Sequence, residues 1–514
     1  MGNVGLLQSG KRILAAVSVM MLFVATACAQ GDTLAGKKGV MWQVVEWSVC
    51  NSTYEGNPFD VVGRVTFKHE GSGESHTTEM FYDGGDTWKF RFTGTRCGEW
   101  TFSTQSGDAD LNGHKGSVTV KANPDPKAKG FLTHKGNKFA IQVGSDGRLE
   151  GYLFTVYMQR KDFDVYKFAE WDEKKIKAYC SAAKENGFEI IFLHVNNQWF
   201  ELGKLKWDEH KSENPDLKTF ALLDKIITTA HGQGCRVHLW AWGDEARKWT
   251  PIGLPGGING KVDRRLQRYI AARLGPLPGW TMGYGFDLHE WVSHSQLDGW
   301  AEYMHEHFGW QHLLCSRGHK LKGLHNIISY AGFGAGEITT TSHGPKSIGE
   351  VMEDIDSDKS RPHFYEERHS HLRKGFKLDM EGSRRLLWWE AMAGGMGGFF
   401  GFYSDSPFPY PNPEQLRCHY NFWHVNKRFY LDMARANELT DGYCLKRLGN
   451  SHFVFYKENT DSIQMDLSQM GGLQPMIAVD TKKEYRETQL PDAKPKDQKL
   501  QLPYISDWAV AVGR

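Results

Sequence analysis

The sequence predicts a multidomain chain: a central (β/α)8 barrel between an N-terminal and a C-terminal β-sandwich. Three observations carry this. Apolar strands alternate with amphipathic helices over residues 130–435, the size and order of a barrel of eight units. Short runs of alternating hydrophobicity, broken by turn residues, fill residues 37–122. The same β pattern returns over 440–514. At 514 residues the chain is too long for a single ordinary core.

Residues 1–29 form a leader. Lys11 and Arg12 precede the apolar run ILAAVSVMMLFVATA, the layout of a secretory signal peptide. Cleavage after Ala29 releases a secreted or periplasmic protein. The alternative is lipidation of Cys28 and anchoring at the cell surface. The mature chain offers no membrane span of its own. With eight cysteines the chain is no disulfide scaffold. Cys50 and Cys97 fall in one β-rich region, where a disulfide between them is open. Cys235 and Cys315 lie in apolar strands and read as buried thiols.

The N-terminal sandwich is read from VVGRVTF, WKFRF and GSVTVKA, with the turn FYDGGDTW between strands. NPDPKAKG then reads as a linker. The barrel strands follow in order: GYLFTVYM, FEIIFLHV, CRVHLWAW, TMGYGFDL, QHLLCSRG, HNIISYAG, PHFYEE and GGFFGFY. Helices lie between them, the clearest being EKKIKAYCSAAKENG, LKTFALLDKIITTAHGQG and GSRRLLWWEAMAGG. The C-terminal strands run from HFVFYK to DWAVAVGR.

Composition excludes some functions. A formal net charge of +1 lacks the basic excess of a nucleic-acid binder. The 18 tryptophans supply rings that stack on sugars or fill cores. No spacing of Cys or His marks a zinc site, and GFGAGE lacks the lysine of a phosphate loop. A metal site at His363, Glu366, His369 and His371 is a rival, weakened because the two histidines of HSH point to opposite sides of an extended segment. No cofactor is expected.

Barrel active sites lie at the C-terminal ends of the strands. YGFDLHEW places Asp287 and Glu290 at the end of the fourth expected strand, and PHFYEE places Glu366 and Glu367 at the end of the seventh. Two carboxylates across a barrel mouth suit glycoside cleavage, one protonating the leaving oxygen and the other attacking carbon or activating water. Either member of each pair fits by alternation alone, and each is also an ordinary ion-pair candidate. Glu290 is preferred for lying nearer the open end. Substrate-binding candidates are Asp287, His289, Asn196, Asn197, Trp242, Asp244, Tyr403 and Arg368, whose amides, carboxylates and rings suit hydroxyls and sugar faces. Arg368 belongs to a basic cluster with His369, His371, Arg373 and Lys374 that fits either solvated loop charge or an acidic group on the glycan.

WQVVEWSV, YEGNPFDV, FYDGGDTWKFRF and CGEWTF resemble the β-sandwich domain of unknown function that precedes bacterial hydrolase barrels. YGFDLHEW, FYEERH and RRLLWWEAMAGG resemble the apiosidase-like group of glycoside hydrolases. The strands ending in DWAVAVGR are similar to the collagen-binding-type domain found after such barrels. The resemblance implies a secreted hydrolase acting on a plant or algal polysaccharide, with Glu290 as acid/base and Glu366 as nucleophile. His289 stands where retaining barrel glycosidases carry Asn. The alternative class is a non-catalytic carbohydrate-binding or adhesion protein with a degenerate barrel.

Overall fold

The computed structural model describes residues 33–157, 163–210, 212–286, 288–316, 327–329, 347–357, 359–363, 380–395, 398–400 and 413–513. Strand Gly63–His69 shows why the N-terminal region is all β. GRVTFKH alternates buried and exposed without a break, so one face enters a core while the other meets water. It belongs to a five-stranded sheet with Lys37–Val40, Ser75–Glu79, Gly98–Ser106 and Lys115–Lys121. A three-stranded sheet of Val44–Cys50, Phe81–Tyr82 and Thr87–Thr93 packs against it. The layer between is aromatic: Trp47 stacks on Phe90 at 5.3 Å and Phe67 on Phe92 at 4.5 Å. Cys97 carries a free thiol beside Met41 Sδ. The Cys50–Cys97 bridge left open by the sequence is therefore not formed. Cys235 and Cys315 are buried free thiols, as their apolar strands imply.

The central region opens with an element that the sequence reading folded into the linker and the first barrel unit. Lys129–Lys135, Lys138–Val143 and Arg148–Gly151 form an antiparallel three-stranded sheet. It covers the floor of the next sheet, where Phe139 stacks on Phe154 at 4.5 Å. Seven parallel strands follow. In chain order they are Phe154–Tyr157, Ile190–His194, Arg236–Trp240, Trp280–Gly283, Leu314–Ser316, Ile327–Ser329 and Gly398–Phe400. They match the first six and the eighth of the expected barrel strands, and their order in the sheet is 6-5-4-3-2-1-8. Of PHFYEE, the seventh, only Pro362 and His363 lie within the described residues, and among those residues the sheet is an open half-barrel.

Three of the intervening helices are capped at their N-termini. Asp172 and Asp216 cap Glu173–Glu185 and Leu217–Gly232 by accepting backbone N–H groups. Ser293 and Gln296 form a reciprocal capping box on His294–Phe308, which ends at Gly309 with φ +71°. A β-carbon at Gly309 would lie 2.3 Å from Thr77 O, so this turn also permits close approach of the N-terminal domain.

That domain is fastened by buried charge. Arg91 forks onto Asp224 (Nη1–Oδ1 2.7 Å, Nη2–Oδ2 2.9 Å), and Arg273 reaches both Asp224 and Asp83. Arg265 forks onto Asp60 in the same way. At the other end, six antiparallel strands form one C-terminal sheet whose longest members are His452–Asp466 and Asp497–Gly513. One face packs on helix Met380–Met392, where Trp388 stacks on Tyr456 at 5.3 Å and Arg384 pairs with Asp507 at 2.6 Å.

Removing a carboxylate that two enclosed guanidinium groups share leaves Arg91 with Glu46 alone and Arg273 with Asp83 alone. Asp224→Ala is expected to destabilise the fold by about 3–5 kcal/mol in chemical denaturation. Lys177→Ala, which removes only a surface pair with Glu173, should cost below about 0.5 kcal/mol.

Candidate active site

The second and third strands pair in register from Ile190 opposite Arg236 to His194 opposite Trp240. Their C-terminal ends therefore finish at one level. Below that level the interior is packed with rings: His238 lies 5.7 Å from Phe154 and 6.2 Å from Phe192. Burial pushes the His238 imidazole down to about 3, so it stands neutral in the core and donates no charge to the site. Phe286 closes the column, 4.9 Å from Trp240 and 5.4 Å from His194.

Polar groups collect above this floor of rings. His194 is buried, its Nδ1 2.9 Å from Asn196 Nδ2 and 3.4 Å from Asp164 Oδ1. A parallel bridge between Asp164 and His194 ties the loop after the first strand to the end of the second. Asn196 takes φ +56°, the left-handed region, and opens the short helical turn Asn196–Trp199. Gly243 makes room for it: a β-carbon there would lie 2.5 Å from Trp249 Cβ and 3.1 Å from Asn196 Oδ1. Among the described residues, four buried polar atoms of this cluster have no hydrogen-bond partner: His194 Nε2, Asn196 Oδ1, Asn197 Oδ1 and Trp249 Nε1. An unmet donor or acceptor in an enclosed site costs about 1–3 kcal/mol, so such a concentration at strand ends marks where water or a polar ligand belongs.

The candidates read from sequence fall into three groups. Asn196, Asn197, Asp244 and Glu290 stand at the ends of strands two, three and four. Asn197 donates its amide to Leu205 O and Lys248 O, fastening two loops. Asp244 caps the turn Glu245–Arg247 and pairs with Arg247 at 3.0 Å. Glu290 closes the turn Leu288–Glu290, and its side chain is exposed. Trp242 is the second kind: it is only 2% exposed and lies in the core. Asp287, Glu366, Glu367, Arg368 and Tyr403 lie outside the described residues, as do His369, His371 and the side chain of His289. Among the described residues no three His, Cys, Asp or Glu side chains gather as metal ligands, and no helix is long and apolar enough to cross a membrane.

Asp164, Trp249 and Phe286 were not singled out from the sequence. Each follows a strand by several residues, and the KDFD stretch after the first strand was the available signal for Asp164.

The fourth strand ends at Gly283, short of the expected Leu288. Pairing continues one rung further through Tyr284, whose N–H donates to Cys315 O and whose carbonyl accepts from Trp242 N–H. Behind it Asp263 is wholly buried, and burial pushes its carboxyl up to about 6. Its Oδ2 accepts the Asn259 N–H at 2.7 Å.

Residues 166–404 match the family model of the apiosidase-like catalytic domain, and residues 39–107 match a domain of unknown function, DUF5060. No curated protein matches the chain. Among solved structures the fold is similar to a putative glycoside hydrolase from Bacteroides vulgatus at 15% identity and TM-score 0.67, covering 93% of this chain and 99% of that one. It is also similar to a glycoside hydrolase family 5 protein from Bacteroides vulgatus at 13% identity and TM-score 0.54, covering 75% and 93%. Family model and domain order agree: residues 166–404 carry an apiosidase-like catalytic domain behind a DUF5060 domain, and the chain is a glycoside hydrolase.

Asp263 yields a signed prediction. A carboxyl raised from its ordinary 3.8 to about 6 makes the folded state bind more protons than the unfolded state between those values. Stability therefore falls as pH rises through that window and is flat above it. Asp263→Asn keeps the acceptor and removes the charge. The variant should gain up to about 3 kcal/mol over wild type at pH 7.5 and nothing at pH 3.5, read as the difference between urea curves.

Proposed function

We propose that this apiosidase-like glycoside hydrolase is a secreted enzyme that cleaves an O-glycosidic bond of a plant or algal polysaccharide, with Glu290 as proton donor. The observation that supports this most is the placement of Glu290. It stands exposed on the turn just past the fourth strand, on the same strand-end face as the cluster of unmet polar atoms around His194. In this reading PHFYEE completes a (β/α)8 ring between the sixth and eighth strands and brings Glu366 across the mouth as nucleophile, with Glu367 its alternative.

The chemistry follows from the two carboxyl groups. Glu290 gives its proton to the departing glycosidic oxygen, while Glu366 attacks the anomeric carbon. Water then releases the sugar, with Glu290 taking a proton back. His194 Nε2 and Asn196 Oδ1 meet sugar hydroxyls, so that their missing partners are supplied by the substrate. His289 binds the hydroxyl next to the anomeric centre, where retaining barrel glycosidases carry Asn.

Glu290→Gln and Glu366→Gln should each lower kcat by about 10²–10⁴-fold with unchanged melting temperature. The first-formed product should keep the anomeric configuration of the substrate in a proton NMR time course. Wild-type turnover in both variants would remove Glu290 and Glu366 from the mechanism, and inverted product would make the second carboxylate a base.

Secretion is part of the proposal and rests on the leader alone. Intact-mass analysis of the exported protein should give a mature chain beginning at Gln30. A diacylated mass beginning at Cys28 would instead show a surface-anchored lipoprotein.

A further inference from the structure

A cavity of about 1010 Å³ lies at the opposite end of the barrel from Glu290. Its walls are the three-stranded sheet before the first barrel strand and the segment around Trp423–Asp432 that leads into the C-terminal sheet. One side is apolar and ringed, with Trp423, Phe429 and Tyr430, and opens past Leu149 and Val425, which are 41% and 56% exposed. Large apolar side chains left this open beside a concave surface mark a binding surface more than a packing fault.

The remaining wall is charged, and the charge is one-sided. Six cations line the cavity: Lys127, Lys129, Lys135, Arg148, Lys427 and Arg447. The two carboxylates in the lining are already taken, Glu150 by Arg148 and Lys427, Asp432 by Arg447. Lys129 is held by Glu189. Lys127 and Lys135 have no ion-pair partner among the described residues. Two further groups point to a ligand. Trp423 is wholly buried, yet its indole N–H has no acceptor. Lys127 and Lys129 also line an adjoining cavity of about 520 Å³, at whose inner wall lies Arg236. Arg236 is wholly buried, pairs with no carboxylate among the described residues, and leaves Nε and Nη2 without acceptors. Glu189 shares that wall but is already paired by Lys129 and His424, so the buried guanidinium adds positive potential to the space beside it.

We propose that this cavity is a second glycan-binding site, separate from the catalytic mouth, and that its ligand is an acidic oligosaccharide segment. The rings and aliphatic walls take the C–H faces of the sugars, and Lys127 and Lys135 take the acid groups. Carboxylate and sulfate ester share this chemistry. The inference rests on the reading of the chain as a glycan-acting protein, but not on the identity of the catalytic pair. It gives the floor of the barrel a role in holding polymer while the mouth acts on it.

Affinity electrophoresis of the full mature chain tests this. Glu290→Gln protein should be retarded in gels containing polygalacturonate or a sulfated galactan, and the arm that retards it more identifies the acid group. Neutral glucomannan should not retard it. Lys127→Glu combined with Lys135→Glu should weaken acidic-glycan binding about tenfold without lowering the melting temperature or the wild-type turnover of a small aryl glycoside. Retention should also fall as salt rises. No retardation by either acidic polymer, equal retardation by glucomannan, or equal binding by the charge-reversed variant would each overturn the proposal. Failure of the catalytic reading shows separately, as absent wild-type turnover with binding intact.

Discussion

Both ends of the catalytic domain hang on the register in which Ile190–His194 pairs with Arg236–Trp240. At the upper end it sets His194 beside Trp240, and the next residue of each chain begins a loop of the mouth. At the lower end it sets Ile190 opposite Arg236, with Glu189 one step below, so the charged groups of the floor fall at one level. A shift of one residue in Ile190–His194 would exchange inward for outward side chains along that strand. His194 and Phe192 would leave the ring column, and the polar cluster would lose its base. Buried parallel strands tolerate such an exchange poorly, because both faces are packed.

The flanking domains act on this sheet through its helices and its floor. The N-terminal sandwich reaches the loop before the second helix, where Asn57 Nδ2 donates to Asn214 Oδ1 at 2.8 Å. It clasps helices Leu217–Gly232 and Lys261–Leu274 through Arg91, Asp224 and Arg273, and its Trp42 carbonyl meets His231 Nε2 at 3.0 Å. The floor is held in a similar way. Glu189, buried where the second strand begins, takes Lys129 at 2.7 Å, His424 at 3.0 Å and the Tyr420 hydroxyl at 2.7 Å. These partners pull its carboxyl well below the usual range in spite of burial. One carboxylate thus joins the covering sheet, the second strand and the segment leading to the C-terminal domain. Such paired, buried charges fix geometry more than they add stability, since replacing them by apolar groups is often neutral.

How much of this was legible in the sequence varies with the signal. Buried parallel strands read as continuous apolar runs, so IIFLH and RVHLW stood out with their limits nearly right. YGFDLHEW did not. Its apolar residues continue past Gly283 because Tyr284 faces Trp300 and Phe286 faces the ring column, although the chain has left regular strand geometry. The sheet over the floor was missed because Gly136 and Gly144 broke it into pieces shorter than a typical strand pattern, next to a proline-rich linker. Trp242 illustrates the limit of ring counting, since a tryptophan just past a strand has the same composition signal whether it faces sugar or core. Asn196 shows what no periodicity reveals. Its left-handed backbone, its contact with His194 and the space left by Gly243 depend on three loops meeting.

That meeting of loops explains why the site and its covering can be tuned apart. Asp164, Asn196, Trp249 and Glu290 follow four different strands, and each is carried on a turn rather than within the sheet. A change in one turn alters what the mouth can hold while the strand register below it persists. The floor has the opposite design. Lys129, Glu189 and Arg236 sit on or next to strands and are locked by pairing, while only the rim residues Lys127, Lys135, Leu149 and Val425 are free to vary against solvent. The proposed catalytic end is therefore adaptable chemistry on rigid strands, and the floor is a fixed positive field with an adaptable rim. A polymer that engages both would be selected twice: by loop shape at the bond that breaks, and by charge along the segment that is held.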